Sequence, residues 1–194
     1  DRWGKETRGR LGGNFTTEYG YIEEGRKIED VELDRPFEEC RGIGASFGWN
    51  KFETVDDYLS EEALIKMLVD LVSKGSNFLL NVGPTGDGRI PVIMEERLRQ
   101  LGKWLKVNGD GIYCSRKYCE SSDENIKYTK NKDGKTLFAF IHKYPIGKIT
   151  FNEIDYRDGM KVQLFGCAKE LVAENNNGKL MIDFALISPE EIDS

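Results

Sequence analysis

The stretch from Ser60 to Asn108 constrains the fold more than any other part of the chain. Leu64, Met67, Leu68, Leu71 and Val72 recur at helical spacing. Ser60 can cap the start of that helix, Glu61 and Glu62 suit its positive end, and Gly75 suits its stop. Phe78-Leu79-Leu80-Asn81-Val82 is then a nearly continuous apolar run, as expected of a strand buried on both faces. The loop Gly83-Pro84-Thr85-Gly86-Asp87-Gly88 follows. Pro91 stands where proline prefers to begin a helix, and Met94, Leu98, Leu101 and Leu105 stripe one face as far as Asn108-Gly109. Helix, buried strand, glycine loop and helix are α/β grammar, in which chemistry gathers at the C-terminal ends of the strands.

Residues 1–40 have little periodicity and read as one or two long loops, with a charged excursion over residues 23–34. Cys40 to Asn50 suits a short buried strand leaving a tight turn. After about Tyr118 the pattern changes. Ile126 to Lys130 alternates, Lys132-Asp133-Gly134 signals a hairpin, and Thr136 to His142 makes the returning strand. Further strand-like runs are Lys148 to Ile154, Lys161 to Phe165 and Lys179 to Phe184, with Asn175-Asn176-Asn177-Gly178 as a turn. Such runs indicate a small antiparallel sandwich. An α/β barrel needs about 250 residues, whereas only residues 1–117 carry α/β character. A strand like 78–82 also needs partners on both edges, so residues 1–117 read as the end of a larger barrel.

Several function classes are disfavoured. The net charge is −6 with Lys and Arg scattered, which argues against nucleic acid or an anionic membrane as partner. No apolar run approaches the ~18 residues of a transmembrane helix. Four cysteines are too few and too scattered for a disulfide framework; Cys114 and Cys119 could pair locally, but free buried thiols are expected. The one histidine, His142, lies in an apparent strand, so neither a metal site nor a Ser-His-Asp or Cys-His nucleophile can be assembled. The 83–88 loop lacks the Lys-Ser/Thr of a phosphate cradle, and Pro84 removes an amide donor, so it reads as a plain strand-to-helix turn. Asn14-Phe15-Thr16 is a glycosylation sequon, but a glycan there would crowd the neighbouring loop at Glu18.

Carboxylates remain: Glu18, Asp34, Glu38, Glu39, Asp56 and Asp57 lie in the loop region. Glu18 sits in Phe15-Thr16-Thr17-Glu18-Tyr19-Gly20, between hydroxyl and phenol side chains. The nearby Trp3, Phe15, Tyr19, Phe37, Phe47 and Trp49 suit stacking on the apolar faces of sugars. Paired carboxylates with aromatics point to glycoside hydrolysis, which needs about 5–5.5 Å between the two acids in a retaining enzyme. The rival readings are a sugar-binding module without catalysis and an unrelated α/β protein in which Glu18 is a solvated surface residue.

Several segments together resemble the α-L-fucosidases of glycoside hydrolase family 29. They are Asp1-Arg2-Trp3-Gly4, Phe15-x-Thr17-Glu18-Tyr19-Gly20, Phe37-Glu38, Arg41-Gly42-Ile43-Gly44-x-Ser46-Phe47-Gly48-Trp49-Asn50 and the run from Leu68 to Pro84. The similarity continues through Gly88-Arg89-Ile90-Pro91 to Ile112-Tyr113 and is one of domain order beyond residue 118. The resemblance implies the C-terminal portion of a (β/α)8-like (TIM) barrel over residues 1–117. A β-sandwich over 118–194, lacking its last strand, would follow. It implies a retaining α-L-fucosidase without cofactor or metal, acting on a fucosylated oligosaccharide or glycoconjugate, and it leaves a homo-oligomer open. An extracellular, periplasmic or lysosomal site is implied for the full-length protein.

By the same resemblance Glu18 is the acid/base, with Glu38 a second candidate because Phe37-Glu38 matches the family's Trp-Glu pattern. Arg2 falls near the nucleophile and sugar, Tyr19 follows the acid/base, and Phe47 packs against the fucose methyl. Trp49 joins the substrate-binding set as a stacking aromatic. The nucleophile Asp and the sugar-binding histidines are expected upstream of Asp1, so the residues given are expected to be inactive alone.

Overall fold

The computed structural model describes residues 38–185 and 187–192. The loops read over residues 1–37, the sequon at Asn14 and the site residues Arg2, Glu18 and Tyr19 lie outside the described residues. The chain is mixed α/β with small sheets and divides into two compact units, Asp1–Gly102 and Lys103–Ser194.

In the first unit, strand β1 (Glu38–Gly42) is followed by helix α1 (Glu61–Ser73) and strand β2 (Asn77–Asn81). The two strands pair in parallel, from Glu38 opposite Asn77 to Gly42 opposite Asn81. A parallel pair needs a crossover, and α1 supplies it. Ser60 caps α1 as expected: its Oγ accepts the Ala63 N–H at 3.1 Å, a contact typically worth about 1 kcal/mol. Of the apolar stripe, Leu64, Leu68 and Leu71 are buried and Met67 and Val72 half-buried, and Val69 beside it is buried as well. Gly75, at φ 85°, ends the helix, with its N–H on the Val72 carbonyl and the Ser76 N–H on that of Leu71. That paired closure satisfies carbonyls the helix would otherwise leave open.

Three expectations here are corrected. The strand read from Cys40 onward starts at Glu38 and ends at Gly42. Strand β2 is not buried on both faces: Leu79 is 50% exposed. The reason is that the face carrying Asn77 and Leu79 is left uncovered, while Phe78 and Leu80 on the other face are half-buried. Helix α2 (Val92–Asn108) begins one residue after Pro91, whose carbonyl accepts the Glu95 N–H. Its stripe holds, with Met94 and Leu101 buried.

The second unit is built from short antiparallel strands. Strands β3 (Arg116–Lys117), β4 (Ile126–Lys130) and β5 (Leu137–Ile141) form one sheet. Strands β6 (Lys148–Asp155), β9 (Ala173–Asn176) and β10 (Lys179–Asp183) form another, in the order β6-β10-β9, while β7 (Val162–Gln163) and β8 (Glu170–Leu171) pair separately. Both three-stranded sheets contribute to one core: Ile126 and Tyr128 from β4, Phe151 and Ile154 from β6, Leu180 and Ile182 from β10, closed by Phe184 and Ile187. Burying each such side chain contributes about 1.5–3 kcal/mol. The asparagine-rich turn is shorter than read. Asn175 and Asn176 belong to β9, and Asn177-Gly178 alone, at φ 52° and 86°, turns the chain as a two-residue hairpin loop does. His142 falls just beyond β5, with its N–H on the Asn125 carbonyl at 2.8 Å. The four thiols are free as expected but not buried: Cys114 is exposed and the other three are half-buried. No helix among the described residues is long and apolar enough to cross a membrane.

Candidate functional site

Because β1 and β2 run in parallel, their C-terminal ends, Gly42 and Asn81, lie at one edge, the edge at which α/β sheets bind ligands. The loop leaving β1 returns to that edge. The Ile43 N–H donates to the Asn81 carbonyl at 3.1 Å, which lengthens the ladder by one bond. The Asn81 side-chain amide then donates to the Phe47 carbonyl at 2.7 Å. Gly83, just past β2, lies against the same loop: a Cβ there would stand 2.3 Å from the Trp49 nitrogen and 2.5 Å from the Gly48 carbonyl carbon. Only glycine permits so close a crossing. Phe47 is half-buried, and Trp49 is exposed.

Beyond Trp49 the loop is braced by its own polar groups. The Ser46 N–H donates to Glu53 Oε1 at 2.5 Å, and Asn50 Nδ2 donates to Ser46 Oγ at 3.1 Å. Asn50 also accepts twice, at Oδ1 from the Phe52 N–H and at its carbonyl from the Glu53 N–H. The Leu59 N–H returns to the Ile43 carbonyl at 3.0 Å, which closes the excursion. Of the acids read as candidates here, Asp57 serves as a cap. Its carboxylate accepts the Thr54 N–H at 2.6 Å and the Thr54 hydroxyl at 3.0 Å, and these bonds hold its pKa below the usual carboxylate range. Asp56 is exposed. Burial, followed by the Glu53 carboxylate, pushes the Tyr58 phenol above its ordinary value.

The structure brings Phe47 and Trp49 together at the C-terminal edge and does not bring Glu38 there. Glu38 is the first residue of β1, opposite Asn77, and is exposed. At about 3.3 Å per residue it starts roughly 13 Å from the Gly42 end. Its neighbour Glu39 points the other way and is 1% exposed. Sequence reasoning grouped both as loop carboxylates; the alternation of a strand separates them. It also missed Asn81, Gly83 and Glu53. A polar residue inside an apolar run, with a glycine two residues further on, was the available signal for the first two. The 83–88 loop is a self-contained turn. The Thr85 N–H donates to the Arg89 carbonyl at 2.8 Å, the Gly88 N–H to the Thr85 carbonyl, and Asp87 pairs with Arg89, so these amides face no ligand.

Comparison with known proteins bears on this geometry. The sequence profile of the α-L-fucosidase family matches residues 1–110, and the chain belongs to that family. Plasma α-L-fucosidase of Rattus norvegicus is 38% identical over 177 residues, 88% of this chain and 37% of that protein. An α-L-fucosidase of Branchiostoma floridae is 35% identical over 92% of this chain and 39% of its own length. Among solved structures, a Thermotoga maritima α-fucosidase in complex with fucose aligns over 94% of this chain and 40% of its own, at TM-score 0.70 and 35% identity. α-L-Fucosidase isoenzyme 1 from Paenibacillus thiaminolyticus aligns over 91% of this chain and 42% of its own, at TM-score 0.71 and 25% identity. The chain thus spans less than half the length of these relatives.

Proposed function

We propose that this chain is part of a retaining α-L-fucosidase that hydrolyses terminal α-L-fucosidic bonds of oligosaccharides and glycoconjugates. The observation that carries the reading is the anchored loop: Phe47 and Trp49 are held by Asn81 and Gly83 at the C-terminal strand edge, within the family-matched residues 1–110. On this reading residues 1–117 complete a (β/α)8-like barrel and 118–194 form its β-sandwich partner. Phe47 packs against the fucose methyl, and Trp49 offers a ring face beside it.

The chemistry follows from two carboxyl groups. A nucleophile Asp, supplied by sequence before Asp1, attacks the anomeric carbon while Glu18 gives its proton to the leaving oxygen. Glu18 then takes a proton from water as that water displaces the enzyme ester, releasing fucose with retained configuration. The acid must hold its proton near working pH, and a neighbouring carboxylate favours that by charge repulsion. Arg2 favours the ionised form of the nucleophile, and Tyr19 borders the sugar. Glu38, at the far end of β1, has a lesser claim on the proton transfer.

The test expresses the complete reading frame and assays a chromogenic fucoside. Glu18→Ala should lose about 10²–10⁴-fold in turnover, with partial recovery in azide, while Glu38→Ala stays near wild type. The opposite pattern would transfer the acid/base role to Glu38. Fucose binding without turnover in the unmutated protein would favour the non-catalytic sugar-binding reading.

A further inference from the structure

Beyond Trp49 the braced loop carries half-buried Tyr58 and one exposed aromatic side chain, Phe52, which is 79% exposed. Single exposed apolar residues are ordinary on protein surfaces, so exposure alone assigns nothing. Here two further observations bear on it. The first is rigidity. The Phe52 N–H is bonded to Asn50 Oδ1 at 3.1 Å, Asn50 is bonded to Ser46, and Ser46 is bonded to Glu53 on the other side of Phe52. The ring is therefore displayed on a closed hydrogen-bonded turn whose base is tied to the strand edge through Phe47 and Asn81.

The second observation is gradation along one loop. Phe47 is half-buried at the strand edge, Trp49 is 45% exposed where it crosses Gly83, and Phe52 is the most exposed of the three. A saccharide held with its terminal sugar at half-buried Phe47 must extend into solvent, and Phe52 is the aromatic side chain of this loop that solvent reaches most. The Lys51 ammonium stands 4.9 Å from the Phe52 ring centroid and covers one face. The high exposure leaves the other face open to solvent.

We infer that Phe52, steadied by Lys51, is a stacking platform for the pyranose to which fucose is attached, the aglycone sugar of the substrate. This rests on the α-L-fucosidase reading and adds its outer subsite. An aromatic face suits the apolar C–H face of a pyranose and asks little of linkage geometry, while Lys51 occupies the opposite face of the ring. Because the backbone that carries the ring is already hydrogen-bonded, binding orders the sugar and the Phe52 side chain but not the loop.

The full-length protein and Phe52→Ala are compared on two substrates: α-L-fucosyl fluoride, which has no aglycone sugar, and a fucosylated disaccharide. The variant should lose about 3- to 10-fold in kcat/KM on the disaccharide, mostly in KM, and less than about 2-fold on the fluoride. Phe52→Trp should restore disaccharide hydrolysis, which separates the ring's role from damage to the loop. Equal losses on both substrates, or no loss on the disaccharide, would overturn the platform and leave the fucosidase reading standing. A wild-type protein inert toward both would remove both conclusions.

Discussion

The side-chain amide of Asn81, the last residue of β2, donates to the main-chain carbonyl of Phe47, 34 residues earlier, at 2.7 Å. One bond thereby ties an aromatic candidate for fucose contact to the end of a strand. Because the donor sits on regular structure and the acceptor on a loop, the sheet sets the loop's position. Sites built that way hold their geometry better than free loops do.

Removing that donor should loosen the loop more than the fold. Asn81→Asp keeps the side chain's shape but offers no N–H to Phe47. The expected cost is about 1–3 kcal/mol in urea unfolding with an unchanged slope, since the bond is replaced by a carboxylate oxygen facing a carbonyl oxygen and little surface is added. In the full-length protein kcat/KM on a fucoside should fall by about tenfold, because a shift of the loop moves Phe47 from the sugar. Wild-type kinetics in this variant would show that the tether is structural only.

Gly83→Ala probes the same edge two residues further along the chain. A Cβ at 2.3 Å from the Trp49 nitrogen meets backbone, not the tip of a yielding side chain. Either β2 or the loop must move, and such overpacking costs about 1–3 kcal/mol. A lowered melting temperature and a change in Trp49 fluorescence, assigned by comparison with Trp49→Phe, are expected together. A stability loss with unchanged Trp49 emission would place the movement in β2.

The helices and most strands were legible because their signals are local. Ser60, Gly75 and the leucine stripe act within a few residues of each other, and Asn177-Gly178 carries its own turn preference. What was not legible depends on partners distant in sequence. Strand β2 looked doubly buried because an apolar run reports hydrophobicity and not how many neighbours it has. Glu38 and Glu39 looked equivalent until the pleat put one outward and one inward. The Asn81–Phe47 bond and the Gly83 crossing arise only when two segments meet, so the sequence pattern can single out Asn81 and Gly83 but not the loop that they meet. Of the candidate site, the aromatics were readable as residues and their scaffold was not.

The second unit offers a cleaner stability test at Thr129. Its side chain is fully buried, and Oγ1 donates to the Gly111 carbonyl at 2.7 Å. Thr129→Val is nearly isosteric but leaves that carbonyl without its donor, so a loss of about 1–3 kcal/mol is expected. Thr129→Ser keeps the hydroxyl and should retain part of the difference, measured by chemical denaturation of both variants. Equal stability of the valine variant and the wild type would mean that the bond contributes nothing net.

Glu153 makes this unit sensitive to acid. Its Oε2 accepts the Tyr128 hydroxyl at 3.0 Å and its Oε1 the Ser122 N–H at 2.7 Å. Burial works to raise its pKa, but the bonds from Ser122 and Tyr128 outweigh burial and leave the carboxyl below its ordinary range. The Tyr128 phenol is pushed well up, first by burial and then by the Glu153 carboxylate, so it keeps its proton and remains a donor. An unfolded Glu titrates at about 4.3. With the folded value lower, the carboxylate's stabilisation is fully present above that pH and is lost as pH falls through the folded pKa. Glu153→Gln keeps the shape and one acceptor oxygen, but it turns the other oxygen into an NH2 donor and removes the charge. The variant should therefore be less stable than wild type at pH 7, by on the order of 1 kcal/mol after solvent screening, with the gap closing toward pH 3. Urea midpoints at pH 7, 5 and 3 measure it. A gap that stays constant or widens in acid would rule out the Glu153 carboxylate as the source.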